Sequence, residues 1–220
     1  MAIDNNDNYP DTATYLRAVS VREHPAATAL RAATRKLPEG EWSTAAEQGQ
    51  LLAFIVETFA ARRILELGTF TGYGALMMAL AMPADGHLVT CDMDSRYPDV
   101  GKPFWQQAGV AERIELRLGP ATETVQRMID DGEADSYDLV FIDCNKKDYD
   151  TYYEASLKLL RTGGVIVVDN IFWDSAVLRA DAQEKSTRAI RALAHKMHGD
   201  ARINLAVLPL GDGMTLAVKR

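Results

Sequence analysis

Two acids and an amide close two neighbouring apolar runs. Asp143 ends Tyr137-Asp138-Leu139-Val140-Phe141-Ile142-Asp143, and Asp169-Asn170 follows Val165-Ile166-Val167-Val168. If both runs are strands of one parallel sheet, their tips lie side by side. Two carboxylates and an amide oxygen then converge. Such a cluster costs free energy unless a cation offsets the repulsion. Hard oxygen donors with room for water suit Mg²⁺, Mn²⁺ or Ca²⁺; zinc favours His and Cys. Lys146 stands three residues past Asp143. An amine there could serve as a general base beside a metal-bound hydroxyl. The plainer alternative is a pair of capping carboxylates beside a solvated Asn-Lys-Lys-Asp loop.

A second constellation is Glu66-Leu67-Gly68-Thr69-Phe70-Thr71-Gly72-Tyr73-Gly74, which follows a β-like run and opens a helix. Glycines at such a turn let a ligand approach the backbone. The spacing is neither GxGxxG nor GxxxxGK[ST], so pyrophosphate is not the natural ligand. Glu66 would repel phosphate and suit a cationic amino-acid end. Asp92 closes the next β-like run and can accept hydrogen bonds from a ribose diol. Together they outline a nucleoside-like pocket; a ligand-free Gly turn and a helix-capping Asp92 are the alternatives. No histidine (His24, His87, His195, His198) has metal-pair spacing, and there is no GxSxG or Cys/His nucleophile signature.

The elements that must position these groups alternate. Asp11 to Leu37 reads as two helices divided by Pro25, with Leu16, Val19, Leu30, Ala33 and Leu37 at apolar positions. Thr44 to Ala60 reads as a third. Five β-like runs follow, at Arg63–Glu66, His87–Asp92, Arg113–Leu118, Tyr137–Asp143 and Val165–Asp169, four of them ending in an acid. Helical segments separate them, at Tyr73–Ala81, Asp99–Ala108, Ala121–Asp130 and Tyr149–Leu160. This order predicts βαβ crossovers and a mainly parallel sheet. After a helix at Gln183–Met197 come two strands, Arg202–Leu208 and Met214–Val218, joined by five residues. So short a link makes them an antiparallel hairpin.

A chain of 220 residues is enough for one α/β domain over 1–220, and short for two. Its net charge of -7 disfavours nucleic acid, which needs a basic surface. Cys91 and Cys144 lack CxxC spacing and read as reduced thiols of a cytoplasmic protein. Residues 1 to about 11 read as a solvated arm with no signal-peptide pattern, and no run is long enough for a membrane span.

Read together, these segments resemble the cation-dependent O-methyltransferases, the family of the caffeoyl-coenzyme A and catechol enzymes. The likeness covers nearly the whole chain. Glu66–Tyr73 is close to the family's Glu-Ile-Gly-x-Phe-Thr-Gly-Tyr motif. Gly49-Gln50-Leu51-Leu52, Ala108-Gly109-Val110, Gly119-Pro120-Ala121, Gly163-Gly164-Val165, Asp169-Asn170 with Trp173, and Gly211-Asp212-Gly213 recur in family order.

The resemblance implies a Rossmann-like, seven-stranded, mostly parallel sheet with helices on both faces and a C-terminal antiparallel hairpin. Helices over 12–60 would cover the site. It implies S-adenosylmethionine held by Thr44, Glu66, Gly68, Thr69, Phe70, Gly72, Gly74, Asp92, Met93, Pro120, Ala121 and Asp143. It implies a divalent ion on Asp143, Asp169 and Asn170, with Lys146 and Asp143 catalytic. Asn145, Trp173, Asp174 and Asp212 would border a small aromatic, catechol-like acceptor. A homodimer is implied as well.

Departures from the family pattern cluster near the acceptor. Gly74 replaces a common Ser, Gln48 a usual Glu, and Asn145 an acid. Asp174-Ser175 replaces a Gly-containing stretch. A coenzyme A thioester acceptor, a nicotinamide-dependent oxidoreductase and a non-catalytic ligand-binding protein are the alternative readings.

Overall fold

Pro25 and two side-chain caps shape the start of the chain. The computed structural model describes residues 9–220, so most of the expected arm lies outside the described residues. Asp11 caps α1 (Thr12–Ser20) by accepting from the Thr14 amide at 2.7 Å. His24 caps α2 (Pro25–Thr34), where proline sits at the first turn and needs no amide partner. α3 (Ala46–Thr58) follows a short 3-10 turn at Gly40–Trp42.

The alternating region then runs β1 (Arg63–Leu67), α4 (Tyr73–Ala81), β2 (His87–Asp92), α5 (Pro98–Gln107) and β3 (Ile114–Leu118). It continues with α6 (Ala121–Asp130), β4 (Tyr137–Ile142), α7 (Tyr149–Leu159) and β5 (Leu160–Val168). α8 (Lys185–Gly199), β6 (Ile203–Leu208) and β7 (Met214–Lys219) complete it. The seven strands form one sheet in the order β3-β2-β1-β4-β5-β7-β6. The first five are parallel; β7 is antiparallel to both β5 and β6. The expected α/β sheet with its terminal hairpin is the one observed. The hairpin's second strand, not its first, lies against β5.

Alternation within each strand divides the core in two. Ile64, Leu88, Leu139, Phe141, Val165 and Val167 face α2 to α5. Leu65, Val89, Val140, Ile142, Ile166 and Val168 face α6 to α8. β4 and β5 are buried on both faces, as strands covered by helices on each side should be.

Two expectations need correction. Leu16 and Val19 were expected on an apolar face, yet α1 buries no residue and Val19 is 47% exposed. α1 is fastened instead by Arg17, whose guanidinium donates to both Glu47 carboxylate oxygens at 3.2 Å. β5 begins at Leu160 rather than Val165, because Tyr137 pairs with Leu160 across a register shift. Gly163, at φ +79, sits in that irregular stretch.

Phe141 is 1% exposed at the centre of the sheet. Phe141→Ala is expected to destabilise the fold by about 3–5 kcal/mol, the usual cost of emptying a core aromatic position. Chemical denaturation checks this; a loss under ~1 kcal/mol would contradict the packing described.

Candidate active site

The carboxyl ends of β1, β2, β4 and β5 open into a cleft of about 1510 Å³. Ligands of open α/β sheets bind at this edge. At one end Gly68 turns the chain at φ +103, and a Cβ there would lie 2.1 Å from the Asp143 carbonyl oxygen. Only glycine lets the β1 and β4 tips pass this closely. Asp92, at the end of β2, accepts from the Phe70 amide at 2.8 Å and the Met93 amide at 2.7 Å. Each carboxylate oxygen keeps a second lone pair for a ligand hydroxyl. Burial raises the Asp92 carboxyl above its ordinary pKa. Gly68, Phe70, Asp92, Met93, Pro120, Ala121 and Thr44 all line the cleft.

Glu66, Thr69 and Gly74 sit behind the cleft and reach only a small cavity of about 10 Å³, which Thr44 and Asp143 also line. A space of that order suits one water. Glu66 is 1% exposed. Its Oε2 accepts from the Thr90 hydroxyl at 2.5 Å, and Thr90 and Thr69 are bonded to each other at 2.6 Å. Burial, above all, pushes the Glu66 carboxyl up to about 8. Gly74 makes room for it: a Cβ there would lie 2.4 Å from Glu66 Oε1. Gly72 lines neither space. It passes at φ +75 beneath Trp105, whose indole donates to its carbonyl at 3.0 Å.

Past this turn, two of the three predicted oxygens meet at one amine. Lys146 Nζ donates to Asp143 Oδ1 at 2.9 Å and also to Asn170 Oδ1. Asn170 reaches this position with φ +56, a left-handed conformation that asparagine tolerates. Asp169 is 2% exposed, and its Oδ1 accepts from the Asn170 amide at 2.7 Å and from Gln48 Nε2 at 2.8 Å. Burial first, and the Asp143 charge second, hold the Asp169 carboxyl well above the usual carboxylate range. Among the described residues there is no group of three His, Cys, Asp or Glu placed to hold a metal. The set here is two carboxylates and an amide. Its oxygens fit a hard ion, and the nearby Cys144 thiol is pushed up by burial, so no thiolate competes.

The expected acceptor residues line the cleft but are engaged locally. Asn145 donates to Asp148 Oδ2 at 2.6 Å and accepts from the Lys147 amide, capping its own turn. Trp173, Asp174 and Ser175 run through φ +50, +49 and +60. Three successive left-handed non-glycine residues store strain of about 1–2 kcal/mol each. Asp212 restrains this run: its Oδ1 accepts from the Asp174 amide at 2.9 Å, and its carbonyl accepts from Phe172. The Trp173 ring then lies 5.8 Å from Lys146 Nζ.

Sequence reading missed Trp42 and Tyr97, which flank Phe70 at ring-centroid distances of 6.1 and 4.8 Å. It also missed Tyr152, Arg179 and Thr187, which line the same cleft. No spacing in the chain links these positions; only the folded loops bring them to the cleft.

Residues 17–220 match the model of the family described as O-methyltransferase. A catechol O-methyltransferase domain-containing protein of Mus musculus is 42% identical over 205 residues, covering 93% of this chain and 78% of that protein. A caffeoyl-CoA O-methyltransferase of Eucalyptus globulus is 36% identical, covering 90% of this chain and 83% of its own length. Among solved structures, the O-methyltransferase TomG of Streptomyces achromogenes, involved in tomaymycin synthesis and solved in complex with SAM, superposes with a TM-score of 0.84. It is 32% identical, with 93% of this chain and 94% of that one covered.

Glu66 generates a pH prediction. Its carboxyl holds a proton in the fold up to about 8, whereas the unfolded chain releases it near 4.5. The folded state therefore binds the extra proton, and this group's contribution falls as pH rises from 4.5 to 8. Glu66→Gln removes that fall. Melting temperatures at the two ends of this window are expected to differ less in the variant than in the native chain. An equal or larger difference in the variant would contradict the burial argument.

Proposed function

Because the chain belongs to the O-methyltransferase family, we propose that it moves the methyl group of S-adenosylmethionine to one hydroxyl of a catechol-like small molecule. A divalent cation at Asp143, Asp169 and Asn170 assists. The observation that carries the reading is the meeting of Asp143 and Asn170 oxygens at one amine beside buried Asp169, in a cleft that Gly68 and Asp92 also line. The SAM complex of TomG supports the cofactor. The names of the mouse and eucalyptus relatives support an ortho-dihydroxy aromatic acceptor. A cytoplasmic homodimer is part of the proposal, on the family resemblance of the sequence alone.

The cofactor supplies a methyl group on a sulfonium. A bound divalent ion supplies Lewis acidity; bringing a phenol from a pKa of about 10 to ~7 takes about 4 kcal/mol. The chain's own residues do the rest. Asp92 accepts from the ribose hydroxyls, and side-chain-free Gly68 lets the cofactor lie against the backbone. Thr44 covers the methionine end. Lys146, on the loop that follows Asp143, is the group placed to take the acceptor's proton. Trp173 presents its face to the acceptor ring, fixed in place by Asp212. Holding both reactants in one orientation removes much of the remaining barrier.

Two outcomes test this. With labelled S-adenosylmethionine and a panel of ortho-diphenols, excess chelator is expected to abolish turnover and Mg²⁺ to restore it. Full activity in chelator would remove the metal from the mechanism. Lys146→Met is expected to lower kcat by about 10²-fold or more while changing S-adenosylhomocysteine affinity by less than about twofold. A variant with native kcat would exclude Lys146 as the base.

A further inference from the structure

Gln48 joins three elements that the reaction needs in register. It lies in the first turn of α3 and is only 4% exposed. Its Oε1 accepts from the Ala45 amide at 2.9 Å, fixing the chain directly after Thr44. Its Nε2 donates to Asp169 Oδ1 at 2.8 Å, across 121 positions of sequence. The turn between β6 and β7 closes over the same amide. Gly211 passes at φ +57, and a Cβ there would lie 2.6–2.7 Å from Gln48 Cδ, Nε2 and Oε1. A side chain at 211 would push the amide off its partners.

One rigid primary amide thus sets the distance between the segment over the cofactor end and the tip of β5. The family pattern has Glu at this position, and the amide of this chain can bond both partners where an ionised carboxylate could not. An ionised carboxylate would satisfy Ala45 but set a third acid against Asp169. An apolar side chain would leave both partners without their bonds. Trp42, Ser43, Thr44 and Ala45 all line the cleft, as does Asp169.

We propose that Gln48 is a positioning residue that couples the Thr44 segment to the oxygen set at Asp169, so that the divalent cation and the cofactor bind cooperatively. This rests on the metal reading given above. Coupling is reciprocal: an ion that settles the Asp169 carboxylate also settles the chain over the cofactor, and the reverse.

The test uses the full chain, native and as Gln48→Met and Gln48→Asn. Methionine keeps the volume without the polar atoms, and asparagine keeps the amide but is too short to span both partners. S-adenosylhomocysteine affinity is measured by calorimetry with and without saturating Mn²⁺, and Mn²⁺ affinity by electron paramagnetic resonance. Melting curves establish that each variant is folded; one that does not melt cooperatively leaves the comparison to the other. In the native chain Mn²⁺ is expected to tighten S-adenosylhomocysteine at least about fivefold; in the variants both ligands still bind, but the enhancement falls below about twofold. An enhancement equal to the native one in a folded variant would overturn the role of Gln48. So would Mn²⁺ binding to the native chain with no effect on S-adenosylhomocysteine. No Mn²⁺ binding to the native chain would overturn the metal reading and this inference with it.

Discussion

Parallel strands end together, and here that sets two acids against each other. β4 and β5 pair in register from Leu139 with Val165 to Ile142 with Val168, so the residues after them cannot separate without unzipping the sheet. Asp143 and Asp169 occupy those positions, and Asp169 is almost wholly buried. Like charges held this way demand a cation or a proton. The surroundings supply one cation, Lys146 on Asp143, and two neutral donors, Gln48 and the Asn170 amide, on Asp169. The rest of the cleft is organised around keeping that arrangement while leaving it open on one side.

Rigidity reaches the site from elements remote in sequence. Tyr73, in the glycine motif, donates to Glu23 at 2.6 Å, and Glu23 accepts two bonds from Arg31. Thr71 and Thr34 are bonded at 2.8 Å in a buried contact. The N-terminal helices are therefore anchored to the same turn that faces the cofactor end. Buried ion pairs add little net stability but penalise misplacement heavily, which suits a scaffold whose task is alignment.

Much of this was legible in the chain. Short β-like runs, four of five ending in an acid, located the parallel strands, and the five-residue link at 209–213 fixed the sense of the hairpin. The oxygen set was legible for the same reason: parallel topology makes strand ends neighbours. What stayed hidden depends on side-chain direction. Glu66 stands in the motif beside Gly68, yet it points behind the turn into the space Gly74 vacates. Asp212 and Asn145 read as acceptor contacts, but both bond to nearby backbone or turn groups. Gly72 reads as a ligand glycine, but its missing Cβ makes room for Trp105. Gly49 does the same for the Tyr73 ring, 2.7 Å from where its Cβ would be. Trp42 and Tyr97 meet Phe70 only through loop closure, for which a linear pattern carries no signal.

The most direct measurement is a crystal of the full chain grown with Mn²⁺ and S-adenosylhomocysteine, with the ion located by its anomalous scattering. The expected result is a peak about 2.0–2.4 Å from oxygens of Asp143, Asp169 and Asn170 together, with Lys146 Nζ moved off the position it holds here. A cofactor-filled cleft with no anomalous peak there, and Lys146 still seated between Asp143 and Asn170, would contradict it.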